Sequence, residues 1–133
     1  MPDRVEKVKA SELDEGTGGH TDGMVRKGAI VGKSDRICST VMLAPPHSSS
    51  AVHHHGEQDT IVYAVRGQGA LVFDGGRQHK DLSPGDFALI PAYTKHQEAN
   101  GSDQEVEWVI IRTGPKPITV NFDGWDEGLP SLP

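Results

Sequence analysis

Thr60-Ile61-Val62-Tyr63-Ala64-Val65-Arg66-Gly67-Gln68-Gly69-Ala70-Leu71-Val72-Phe73-Asp74-Gly75-Gly76 is two short runs of β-branched and aromatic residues, each stopped by glycine. Runs of that length and composition fit a pleated, half-buried surface better than a helix. Asp74-Gly75-Gly76 supplies the positive φ angles of a tight hairpin, so the chain is expected to return as Arg77 to Asp81. Ser83-Pro84-Gly85-Asp86 reads as the next turn, Phe87 to Ile90 as the next strand, and Pro91-Ala92 as its end.

Outward from this stretch the same rhythm continues. Ile37 to Leu43 reads as a strand that stops at Pro45-Pro46, a pair that cannot donate to a ladder. Glu105 to Arg112 and Ile118 to Asn121 read as the last strands, separated by Pro115 and Pro117. The sixteen glycines and nine prolines punctuate short apolar runs, and no stretch keeps a helical period. About eight strands with turns roughly every ten residues predict a closed or sandwiched all-β architecture. Residues 1–28, with Gly16, Gly18, Gly19 and Gly23, read as an irregular arm, and residues 122–133 as a tail. A homodimer is expected, in which the first thirty residues or a sheet edge meets the other subunit.

The chain has 133 residues, the size of one domain, and neither a repeat nor a linker divides it. Its formal charge of −6 argues against nucleic acid or an anionic membrane as partner and favours a small-molecule ligand. Cys38 is the one cysteine, which excludes an internal disulfide and a CxxC zinc site and suits a small core residue. The charged start Met-Pro-Asp-Arg-Val-Glu-Lys is followed by no long apolar run, so a cytoplasmic location is expected.

Seven histidines occur, and His53, His54 and His55 are consecutive. On a strand alternate side chains share a face, so His53 and His55 can point together into the interior while His54 points away. Two parallel imidazoles suit a divalent transition ion such as Fe, Mn, Ni, Cu or Zn.

His53-His54-His55 followed by Thr60 to Gly67 resembles the first motif of the cupin superfamily. Leu82 to His96 resembles the second, with Gly85, Pro91, His96 and Asn100 at the motif spacing and Tyr93 in place of its second glycine. The resemblance covers residues 53–100 and implies a small single-domain cupin β-barrel, a double-stranded β-helix of jelly-roll type. It places His53, His55 and His96 as ligands of one metal ion. The motif's acid falls on Asp59 or on Thr60 according to spacing, which leaves two alternatives: three histidines completed by water, or a fourth ligand from Asp59, with Glu57 and Gln58 as weaker candidates. If Thr60 faces in, Val62 and Ala64 line the interior; if Asp59 does, Ile61, Tyr63 and Val65 do.

His47, His20 and His79 read as loop or surface residues. Gln97 or Glu98 is placed to orient a ligand imidazole, although a solvated strand position is the plainer reading of Glu98. Arg66 and Arg112 are both able to bind a carboxylate, and the sequence separates neither from the other. The resemblance implies a site class rather than a substrate. The leading expectation is a metal-dependent, dioxygenase-like enzyme acting on a small oxygen-chelating molecule. The alternatives are a non-catalytic ligand-binding or sensing cupin and a metal-dependent isomerase, lyase or cyclase.

Overall fold

A computed structural model of the chain describes residues 5–126. Its strands are β1 (Val25–Ile30), β2 (Ile37–Ala44), β3 (Ser48–Ser49), β4 (Val52–His54), β5 (Thr60–Arg66), β6 (Gly69–Phe73), β7 (Gln78–Leu82), β8 (Phe87–Ile90), β9 (His96–Asn100), β10 (Val106–Thr113) and β11 (Val120–Phe122). They make two sheets of jelly-roll type. One has the order β1-β2-β10-β5-β8; the other runs β11-β4-β9-β6-β7, with β3 also paired to β9. No helix among the described residues is long and apolar enough to cross a membrane.

Alternation along each strand decides what lies between the sheets. On β5, Thr60, Val62 and Ala64 are buried while Ile61, Tyr63 and Val65 are exposed. On β10 the inward set is Val106, Trp108, Ile110 and Arg112, and on β2 it is Cys38, Thr40, Met42 and Ala44. Antiparallel register pairs Val106 with Ala44 at one end of the sheet and Arg112 with Cys38 at the other, where Thr60 also pairs with Arg112. The interior therefore has two halves. Leu71 and Leu82 from the second sheet close on Met42, Val62, Val106 and Trp108 to form the apolar core. The opposite half is polar.

Two glycines are needed where the chain turns or crosses itself. Gly67, between β5 and β6, has φ +82°, and a Cβ there would sit 2.7 Å from the Glu105 carbonyl oxygen. Gly28 meets the arm: a Cβ would stand 2.1 Å from Thr17 Oγ1. The arm expected over 1–28 is thus tied down, because Gly28 bridges Asp14 and Val25–Ile30 pairs with β2. Its lone inward charge, Arg26, hid this strand from an apolar reading. Residues 1–4 lie outside the described residues. The expected tail begins inside β11, and residues 127–133 also lie outside them.

Candidate metal centre

His53 on β4 and His96 on β9 are direct cross-strand partners, with ring centroids 4.3 Å apart. His55, just past β4, completes the group at 4.9 Å from the His53 ring and 5.1 Å from that of His96. All three are buried, and one potential ligand atom from each lies within 4.8 Å of the other two.

Their tautomers follow from their partners. His53 Nδ1 is 2.8 Å from the Ala51 carbonyl, His55 Nδ1 is 2.8 Å from that of Ile118, and His96 Nδ1 is 2.9 Å from that of Thr94. A carbonyl only accepts, so each Nδ1 carries a proton, and Nε2 is the atom each ring has left for a metal ion. Nε2 of His53 and of His96 is buried without a hydrogen-bond partner. Burial holds His55 in its neutral form, well below the usual histidine range, with Arg112 adding to the effect. Burial first, then the neighbouring His53, pushes His96 down to about 3. Three buried imidazoles held at Nδ1 by carbonyls, with one ligand atom from each close together, are the donor set of a transition-metal site, so the residues present fit the ion that the motif implies.

His54 points the other way, as alternation requires, and packs its ring against Tyr93 and Phe122. His20, His47 and His79 are exposed and lie beside Asp22, Asp103 and Asp81. Tyr93, in the place of the motif's glycine, has φ +61°, a backbone conformation that favours glycine.

The structure does not bring Asp59 to the histidines. Its side chain is exposed, and Oδ1 accepts the Ala92 N–H at 3.0 Å, which fastens the turn after β8. The inward position belongs to its neighbour Thr60, whose Oγ1 is buried without a partner. Glu57 is exposed as well. Gln58 is buried but engaged elsewhere: Nε2 donates to the Thr113 and Lys116 carbonyls, and Oε1 accepts the Ile118 N–H. Those bonds, with the His55 bond to the Ile118 carbonyl, occupy the Ile118 backbone, so β11 starts at Val120 rather than Ile118.

The carboxylate inside the site is Glu98, which corrects its reading as a solvated position. From His96 the parity of β9 turns Gln97 out and Glu98 and Asn100 in, and Glu98 is 3% exposed. Glu98 Oε1 lies 3.2 Å from His53 Nε2 and pairs with Arg26 Nη2. Arg26 Nε in turn donates to the buried Thr21 Oγ1 at 2.7 Å. Burial alone would raise the Glu98 carboxyl, but the Arg26 guanidinium beside it holds it well below the usual carboxylate range. Asn100 acts on the backbone instead. Its amide donates to the Ala44, Pro45 and Gln104 carbonyls and so holds the loops at the ends of β9 and β2.

A cleft of about 510 Å³ opens between the edge strands β7 and β8, with Leu71, Phe73, Thr94 and His96 in its wall. It gives a small molecule a path to His96.

The fold agrees with that of known proteins. The polyketide cyclase RemF from Streptomyces resistomycificus superposes with a TM-score of 0.68 at 22% identity, covering 91% of this chain and 85% of its own. A conserved protein with a double-stranded β-helix domain from Klebsiella pneumoniae gives 0.69 at 15% identity, covering 89% and 97%. A predicted oxalate decarboxylase from Thermotoga maritima gives 0.65 at 19% identity, covering 80% and 97%. No curated protein matches the sequence. Residues 40–112, more than half the chain and inclusive of the three histidines, match the model of the cupin domain. With that match, the jelly-roll sheets and the inward histidines from both motifs, the chain belongs to the cupin family.

Proposed function

We propose that this cupin is a metal-dependent enzyme that acts on a small organic molecule able to chelate through oxygen, with a dioxygenase-like reaction as the leading form. The observation that carries the reading is the set of three buried imidazoles whose Nδ1 protons are all committed to backbone carbonyls. In this reading His53, His55 and His96 hold one divalent transition ion. Glu98, 3.2 Å from His53 Nε2, takes the carboxylate position that Asp59 does not reach.

When bound, such an ion supplies Lewis acidity and, if redox-active, electrons. The protein's own groups do the rest. The three carbonyl bonds fix the rings and keep their Nε2 atoms basic. Arg26 keeps Glu98 ionised, so Glu98 offsets the charge of the ion instead of carrying protons. Thr60 turns its buried hydroxyl inward at the Arg112 end of the sheet, and the cleft beside His96 admits a ligand from one side.

The test is an oxygen electrode run with β-diketone, enol and phenolic compounds over protein loaded with each metal in turn. Iron, manganese, nickel or copper protein is expected to consume dioxygen with at least one of them, and zinc protein with none, because zinc has no accessible redox change. Substrate turnover without oxygen consumption places the chain with the metal-dependent isomerases, lyases and cyclases. Tight binding without turnover in every metal form makes it a binding cupin and contradicts the enzyme reading.

A further inference from the structure

The two arginines that the sequence left undivided have opposite surroundings. Arg66 is exposed and paired with Glu105 and Glu107. Arg112 is 2% exposed, and no acidic side chain pairs with it among the described residues. Its Nη2 donates to His55 Nε2 at 3.2 Å, while Nε and Nη1 are buried without any acceptor.

A buried guanidinium demands a counter-charge, because desolvating an unpaired ion costs far more than desolvating a neutral group. None of the neighbours supplies one. Cys38, opposite Arg112 in the ladder, stays a neutral thiol, since burial raises it despite the nearby cation. Glu98 is committed to Arg26 and His53, and Arg26 Nη1 is itself buried without an acceptor. Two guanidinium groups and one carboxylate leave this half of the interior positive before any ion is added.

Metal binding sharpens the imbalance. The lone pair on His55 Nε2 that a metal ion needs is the one that Arg112 uses. Once that lone pair is taken, the Nε–Nη2 edge of Arg112 has no acceptor among the described residues. A planar edge of two parallel N–H groups matches the two oxygens of a carboxylate.

We propose that Arg112 anchors a carboxylate of the ligand, so that the molecule bound at the histidines is a small organic acid whose chelating oxygens lie beside its acid group. This rests on the metal-site reading above and narrows it to a substrate class.

The test uses the full chain loaded with zinc and titrated calorimetrically with 2,4-dioxopentanoate and with its methyl ester. These differ in the carboxylate charge and in one methyl group, and the neutral Arg112 variants control for the added bulk. Their affinities for free zinc are measured alongside, so that the preference of the ion itself is divided out. The protein is expected to prefer the acid by roughly ten-fold or more beyond that reference, as hydrogen bonds to a buried charge commonly give. Arg112→Met is expected to keep its metal and to lose the preference, with Arg112→Gln as the second neutral variant should the first not fold. Equal binding of acid and ester by the metal-loaded protein overturns the proposal, as does a neutral variant that keeps the preference. Metal content measured on the same samples separates this from failure of the metal-site reading. If the wild-type protein takes up no zinc, that reading fails, and the acid-to-ester ratio of the metal-free chain then supports or overturns the role of Arg112 by itself.

Discussion

Glu98, not Asp59, is the acid beside the histidines, where the sequence left either water or Asp59 to complete the three-histidine set. Both are near the histidines in sequence, but the β9 register turns Glu98 inward beside His53, while Asp59 faces out and holds the Ala92 amide. His53 Nε2 and the carboxylate oxygen 3.2 Å away face each other, so that a cation between them, a proton or a metal ion, is held by both. Glu98→Gln is therefore expected to weaken metal binding roughly ten-fold or more, the scale of changes around a ligand shell, whereas Asp59→Ala leaves it nearly unchanged. Chelator competition on the two variants reads this. The reverse order of effects restores Asp59 as the fourth ligand.

At the level of elements, short strands are positioned by what their ends are tied to. Gly67 lets β5 turn into β6 against the Glu105 carbonyl, so Gly67→Ala is expected to cost roughly 1–3 kcal/mol, measured by urea unfolding, through strain at a positive φ. A loss near zero would mean that the turn relaxes freely. Strands with apolar alternation and glycine or proline stops are legible in the sequence, and Phe87–Ile90 matches its expected bounds to the residue. The inward pair His53 and His55 follows from period two alone. What escapes is polar: β1 carries Arg26 inward, β9 carries Glu98, and β10 ends its apolar face on Arg112. Patterns of hydrophobicity do not mark an inward charge, because its burial depends on partners from distant strands. Parity is the available signal, counting from His96 to Glu98 and from Trp108 to Arg112.

For the whole molecule, the outer face of the five-stranded sheet keeps Ile61, Tyr63, Phe87 and Leu89 exposed in adjacent register, and the Tyr63 and Phe87 rings lie 4.7 Å apart, centroid to centroid. A contiguous apolar patch of this kind is what a second copy would cover, so this face, rather than the arm or a sheet edge, is proposed as the contact of the expected homodimer. Light scattering is expected to give a dimer for the wild-type chain and a monomer for Phe87→Glu. A monomeric wild-type chain removes the dimer from the account.

The claim on which the rest depends is that three histidines from two distant segments hold one ion. It is tested most directly by the metal content of protein purified without a histidine tag or a chelating column, loaded with a divalent ion and passed through a desalting column. About one ion per chain is expected for the wild type and for His54→Ala, His47→Ala and His79→Ala, with the ion lost in His53→Ala, His55→Ala and His96→Ala. A folded His96→Ala protein that keeps its full metal content would contradict the account.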